Sequence, residues 1–124
     1  MTTLYQQLGG DDGIARLVDA FLACLDNAPF AGPLRSLYRE SREHYRIRMN
    51  AFLSGWLGGP LRYHEQFGMP MLKENHRRIP ISHDTALLWM ACMREALDEI
   101  VADDSLRLTL EGAFWHMAQS LENR

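Results

Sequence analysis

The residues best suited to metal chemistry in this chain are five histidines: His44, His64, His76, His83 and His116. They form no HExxH pair, and no combination of cysteine and histidine has the spacing of a structural zinc site. No serine or cysteine occupies a recognisable nucleophile elbow, and no glycine-rich loop follows a predicted strand. The remaining metal chemistry is therefore ligation by a single histidine.

Among these histidines, His76 has the flanking residues that best fit a metal ligand. It lies in the segment MLKENHRRIPI, with Leu72 one helical turn before it and Pro80 four residues after it. Iron held in a porphyrin needs only one protein ligand and keeps its opposite face free. Surface or capping roles are the common ones for an isolated histidine, and we assign them to His64, His83 and His116.

Length and composition narrow the class of protein. The 124 residues fit one domain, 1–124, and a net charge of −3 argues against a non-specific nucleic-acid binder. No apolar run is long enough to cross a membrane, and the N-terminus lacks the pattern of a signal peptide. Cys24 and Cys92 are far apart and suggest no disulfide framework, so we expect a cytoplasmic protein. Seven methionines and 10% aromatic residues would fill an irregular core or line a flat ligand.

Apolar residues recur mainly at helical spacing, which predicts an all-α domain. A first short helix should end at Gly9-Gly10, and a second should begin at Asp11 or Asp12 and end at Asn27. The other predicted helices span about 41–57, 71–77, 83–102 and 105–122. The fifth of these six should be the central buried helix, because it is apolar almost all round. The link 58–81 is long, polar and only partly helical, and such links are often functional.

A series of short motifs then resembles a known family. Gly9-Gly10, the strings FL and WLGGP at 52–60, Tyr63, Gly68, Pro70, Leu72, His76, Pro80-Ile81 and the string LWMACM at 88–93 occur in this order. The chain resembles the truncated haemoglobins, the globins with a two-over-two helical sandwich, over nearly its whole length. The tryptophan at position 89 makes it most similar to group II.

The resemblance implies a haem held by His76. Because there is no CxxCH motif, the haem would be non-covalent haem b. In a helix, the carbonyl of Leu72 would accept the second N–H of the His76 ring. Arg48 and Tyr63 match positions that hold the haem propionates, and Lys73 or Arg78 would add to them. The full set of expected haem contacts is Arg48, Met49, Phe52, Leu53, Tyr63, Leu72, Lys73, Arg78, Ile81, Trp89, Met93 and Phe114.

The resemblance also implies which residues face the bound gas. Family members commonly carry a tyrosine directly after a phenylalanine on the second helix, where this chain has Leu22. Other hydrogen-bond donors match, namely Tyr38, Tyr45 and Trp89. Two alternatives stay open here: Tyr45 and Trp89 are also plausible as plain core aromatics, and a register difference of one residue would put His44, a potential second iron ligand, in place of Tyr45.

The implied function is reversible binding of O2 or another diatomic gas such as NO or CO at five-coordinate iron. The alternative is a haem redox enzyme that converts NO to nitrate or consumes peroxide, with a separate, unidentified reductase. A gas sensor is less favoured because no output domain is attached, and retention of His76 argues against a haemless domain. No catalytic side chain is assigned, and we expect a monomer or a homodimer without nucleic-acid or membrane partners.

Overall fold

The computed structural model describes residues 2–124, which form an all-α fold with no strand in that range. Its α helices are α1 (Leu4–Leu8), α2 (Gly10–Asn27), α3 (Gly32–Arg35), α4 (Arg42–Trp56), α5 (Arg62–Phe67), α6 (Leu72–His76), α7 (His83–Ile100) and α8 (Asp104–Ser120). A 3-10 turn, Pro29–Ala31, precedes α3. The predicted fold class is confirmed, and the predicted boundaries of the long helices differ by one or two residues, as frayed helix ends usually do.

A sharp corner joins α1 to α2. Thr3 caps α1 by accepting the N–H of Gln6 at 3.1 Å, and the Gln6 side chain accepts the N–H of Thr3 at 3.0 Å. Gly9 has a φ of 111°, which favours glycine because a side chain is strained there. A Cβ on Gly13 would lie 2.0 Å from the Leu8 carbonyl oxygen, so only glycine permits this approach.

The long helices form two packed layers. Helix α2 packs against both α4 and α7, and α7 packs against α8. Fully buried side chains from these helices fill the space between them: Phe21, Leu25, Met93, Leu97, Leu110 and Phe114. This arrangement is the predicted two-over-two sandwich. Helix α7 buries one face, with Ala86, Met90, Cys92, Met93, Ala96 and Leu97, whereas Leu87 is 46% exposed. The expectation of a helix buried almost all round was therefore wrong, because the charged residues of its second half face solvent.

The link between α4 and α7 packs against the rest of the protein much less closely than the long helices pack against each other. Helix α5 lies against α4, whereas none of the residues Leu72–His76 of α6 is buried. Met69 and Met71 are 71% and 55% exposed. The long helices therefore form a rigid frame, and the link beside it presents its side chains to one side of that frame.

The two free cysteines, distant in sequence, meet between α2 and α7. The Cys24 thiol donates to the Glu95 carboxylate at 3.2 Å, and the neighbouring Cys92 thiol adds to the rise of the Cys24 pKa. Burial is the main cause that raises the pKa of both thiols. Both groups are therefore protonated at neutral pH.

Candidate functional site

A large cavity opens between the frame of long helices and the link between α4 and α7. Its volume is about 840 Å³, in the range of pockets that hold small molecules and cofactors. Apolar side chains dominate its wall, contributed by α4, α7 and α8 as well as by the link. A cavity of this size and polarity suits a large, flat, mostly apolar ligand.

His76 lies on the wall of this cavity, at the last position of α6. Its Nδ1 is 2.7 Å from the Leu72 carbonyl oxygen, which is the contact predicted from helical spacing. A neutral imidazole that donates from Nδ1 has an unprotonated Nε2, the form that ligates a metal. Within residues 2–124, no three histidine, cysteine or acidic side chains cluster as a metal site would require. The cavity therefore offers a metal one oriented imidazole.

Most residues expected to contact the cofactor line the cavity. Those that do are Arg48, Met49, Phe52, Leu53, Tyr63, Leu72, Arg78, Ile81, Trp89 and Phe114. Lys73 and Met93 are not on its wall. Lys73 is one residue past Leu72, which turns it away from the cavity into solvent, and Met93 is fully buried in the core. Geometry thus gives neither side chain a direct contact with a ligand in the cavity.

Several lining residues were absent from the sequence-based set. Met69, Met71 and Ile79 of the link line the cavity, and so do Met117 and Leu121 near the end of the chain. The spacing of Phe114, Met117 and Leu121 places them on one face of a helix, which is a signal that the sequence contained. No comparable periodicity marks Met69 and Met71, since they flank Pro70 in an irregular segment.

Tyr38, Tyr45 and His44 come together at one part of the wall. The Tyr38 and Tyr45 rings meet edge to face with centroids 4.8 Å apart, and the His44 ring lies 5.1 Å from that of Tyr45. The Tyr45 hydroxyl accepts the N–H of Glu40 at 3.0 Å. Its own proton is therefore still available for donation. All three rings line the cavity, so the position of His44 does not displace Tyr45 from it.

Tyr38 is held as a neutral hydrogen-bond donor. Burial raises the pKa of its hydroxyl, and the neighbouring Trp89 indole N–H only partly opposes this effect. Trp89 also lines the cavity, and its ring packs 5.4 Å from Phe21 and 6.0 Å from Phe114. The phenol and the indole thus place two hydrogen-bond donors in an apolar wall.

Leu22, which follows Phe21, does not line the cavity. Its side chain is 2% exposed and belongs to the main hydrophobic core. This end of the cavity is closed by Tyr38, Tyr45 and Trp89, and Leu22 packs outside the wall. The polar groups available to a small ligand at this part of the wall are consequently those of Tyr38, between α3 and α4, Tyr45 of α4 and Trp89 of α7.

Cationic side chains line the cavity as well. The Arg48 guanidinium lies 4.3 Å from the centroid of the Phe67 ring, and Arg78 lies on the wall near His76. Neither takes part in an ion pair among residues 2–124, whereas Arg42, Arg46 and Arg62 each do. Arg48 and Arg78 can therefore pair with acidic groups of a ligand.

Comparison with known proteins identifies the family. The model of the family described as bacterial-like globin matches residues 3–123. The chain belongs to this family. Among curated proteins, this globin is 29% identical to the group 2 truncated hemoglobin YjbI of Bacillus subtilis, over 93% of this chain and 85% of the relative.

Solved structures agree with this assignment. A cold-adapted truncated hemoglobin from the Antarctic bacterium Pseudoalteromonas haloplanktis TAC125 superposes with a TM-score of 0.96 at 32% identity, covering 99% of each chain. A truncated oxygen-avid haemoglobin from Bacillus subtilis gives a TM-score of 0.87 at 28% identity, covering 98% of this globin and all of that chain. The predicted resemblance to group II truncated haemoglobins is confirmed, and with it a haem protein that binds gas.

The residues present fit a haem on independent grounds. The cavity is large and apolar, the His76 imidazole on its wall has an oriented free nitrogen, and Arg48 and Arg78, which form no ion pair among residues 2–124, can meet acidic groups. No helix within residues 2–124 is long and apolar enough to span a membrane.

Proposed function

We propose that this globin binds O2, or another diatomic gas such as NO or CO, reversibly at haem b. A bound haem would supply ferrous iron for the gas, and His76 would be the residue that holds this iron. The observation that supports this proposal is the contact of His76 Nδ1 with the Leu72 carbonyl oxygen at 2.7 Å. It fixes the ring tautomer and directs the ligating nitrogen away from the helix backbone.

The side chains around the cavity would hold the cofactor by separate interactions. Met49, Phe52, Leu53, Ile81 and Phe114 supply apolar contacts, together with Leu72 and Trp89. Arg48 and Arg78 supply positive charge for the acidic groups of the haem, and Tyr63 supplies a hydroxyl. Lys73 points into solvent, so we assign it no more than a long-range electrostatic effect.

Retention of the gas would depend on Tyr38, Tyr45 and Trp89. A bound gas that takes up negative charge is held by hydrogen-bond donors, each worth about 1 kcal/mol or somewhat more. A loss of about 1.4 kcal/mol of binding free energy lowers the affinity for the gas roughly tenfold. The oxygen-avid relative from Bacillus subtilis has the same overall fold, which favours O2 as the ligand.

A second candidate function is redox chemistry, in which NO is oxidised to nitrate or peroxide is consumed. The exposure of Met69 and Met71 beside the cavity favours it, because an electron donor can approach the cofactor there. The donor would be a separate reductase or a small reductant. We further propose a cytoplasmic location, supported by two neighbouring cysteines that form no disulfide.

The absorption spectrum of the purified protein tests the main proposal. A Soret band should be present in the wild type, lost in His76→Gly and restored when free imidazole is added. His116→Ala is the matched control, since His116 is exposed and away from the cavity. An intact Soret band in His76→Gly without imidazole would refute the ligand assignment. Sustained nitrate formation from NO with a reductant would favour the redox function over reversible binding.

A further inference from the structure

The residue after α8 that contacts the segment containing His76 most extensively is Asn123. Its side-chain nitrogen donates to the carbonyl oxygens of His76 at 3.2 Å and of Ile79 at 2.9 Å. Its side-chain oxygen accepts the N–H of Ile81 at 2.9 Å. Its backbone N–H donates to the Ile81 carbonyl oxygen at 2.8 Å. We call this group of four hydrogen bonds the Asn123 clasp.

The clasp uses the full chemistry of an asparagine side chain. Two carbonyl oxygens require a donor, and the N–H of Ile81 requires an acceptor, so only one orientation of the amide satisfies all three partners. An aspartate would lose both donations, and an alanine would lose the acceptor as well. Asparagine at this position is therefore specific for the geometry of the segment 76–81.

His76 has little else to hold its backbone in place. None of the residues Leu72–His76 is buried, and α6 is not among the helices that pack extensively on another helix. Within 76–81, the turn is closed by the Ile79 N–H, which donates to the His76 carbonyl at 3.0 Å. Ile81 is buried against the frame, so the clasp connects the histidine carbonyl with the first anchored residue that follows it.

We propose that Asn123 is a positioning residue for the iron ligand His76. The bonds from Asn123 to the His76 and Ile79 carbonyls fix the position of the C-terminal end of α6 on the cavity wall. The bond to the Leu72 carbonyl fixes the orientation of the His76 ring. The end of α8 thereby determines how the imidazole meets the cofactor. This inference rests on the proposed function, because positioning matters only if His76 ligates a metal.

The first arm of the test uses the haem-free protein. Amide hydrogen exchange at Ile81 should be about tenfold faster in Asn123→Ala than in the wild type, because a hydrogen bond that protects this N–H is lost. Asn123→Asp should retain more of the protection, since it keeps an acceptor for the Ile81 N–H. Asn27→Ala is the control, as the Asn27 amide donates to the Ala23 carbonyl at 2.8 Å on the exposed end of α2.

The second arm uses the haem-loaded ferrous protein without gas. The iron–histidine stretching band in resonance Raman spectra should shift in both Asn123 variants and stay at the wild-type position in Asn27→Ala. Haem transfer to an acceptor globin should be roughly tenfold faster from Asn123→Ala. A purely structural role for Asn123 would lower stability without moving the stretching band.

The outcomes separate the two proposals. A wild type with a normal Soret band, combined with an unchanged stretching band in both Asn123 variants, would overturn the positioning role and leave the proposed function intact. Unchanged exchange at Ile81 in Asn123→Ala would refute the clasp itself. A wild type that takes up no haem would overturn the proposed function, and the positioning role with it.

Discussion

Tyr38 and Tyr45 pack against each other as one aromatic pair on the cavity wall. Their rings meet edge to face at a centroid separation of 4.8 Å, and the Glu40 N–H donates to the Tyr45 hydroxyl at 3.0 Å. The Arg42 guanidinium lies 5.9 Å from the centroid of the Tyr38 ring. Neither ring can turn without disturbing the other, so the donors of this pair are oriented before a ligand arrives.

Tyr38→Phe should accelerate O2 dissociation from the ferrous protein about tenfold. The substitution removes a hydroxyl that burial keeps protonated, and one hydrogen bond of about 1.4 kcal/mol corresponds to that factor. Stopped-flow displacement of O2 by CO measures the rate. Tyr5→Phe is the control, since it makes the same chemical change on α1, away from the cavity. An equal rate in Tyr38→Phe and wild type would exclude the Tyr38 hydroxyl as a donor to the gas.

Leu22→Ala should lower the free energy of unfolding by about 2–5 kcal/mol, because it empties volume in a closed core. Its effect on O2 dissociation should be smaller than that of Tyr38→Phe, since Leu22 does not line the cavity. Urea denaturation and stopped-flow kinetics measure the two quantities. Leu22→Met preserves most of the volume and should cost less than about 1.5 kcal/mol. A large kinetic effect with little loss of stability would contradict a packing role.

The stability of the α1–α2 corner should depend on pH through Asp11. The Tyr5 hydroxyl, which donates to Asp11 at 2.8 Å, is the main cause that lowers the pKa of this carboxyl; Arg62 adds to the effect and slight burial opposes it. The lowered pKa means that the folded state binds fewer protons than the unfolded state. The resulting stabilisation is complete above the ordinary pKa of the carboxyl and is lost as the pH falls through the lower, folded value.

Tyr5→Phe should therefore raise the pKa of Asp11 towards its ordinary value. The variant should be less stable than the wild type at neutral pH, and the difference should narrow as the solution is acidified below the folded pKa. Carbon NMR of the side-chain carboxyl gives the pKa, and denaturation at several pH values gives the stability. A difference in stability that grows on acidification would reverse the predicted sign. The effect should be modest, since the pair is exposed.

Two glycines should respond oppositely to the same substitution. Gly13→Ala should destabilise the fold by about 3 kcal/mol or more, because its Cβ would collide with the Leu8 carbonyl oxygen. Gly112→Ala should stabilise it by roughly 0.5–1 kcal/mol, because Gly112 lies inside α8 with no atom near the position of a new Cβ. Thermal or urea denaturation of both variants measures the difference. Equal effects would show that backbone entropy, rather than the close approach, dominates at both sites.

Local rules predicted the features that depend on residues close in the sequence. The end of α1 at Gly9 and the contact of His76 with the Leu72 carbonyl follow from helical spacing and from the freedom of glycine. Features that depend on distant segments were not accessible in this way. The burial of Met93 in the core and the contact of Asn123 with the segment 76–81 depend on how α8 and α7 pack. Leu22 also needed the structure, because its position in sequence does not reveal which side of the cavity wall it occupies.

The absence of any buried side chain in Leu72–His76 has a consequence for the life of the protein in a cell. A ligand that binds only the folded state stabilises it in proportion to the logarithm of its free concentration. Molecules that have not acquired haem lack this stabilisation. In them, the exposed link between α4 and α7 would be the first target of proteases. We expect the amount of this globin to follow the supply of haem, through selective turnover of the empty form.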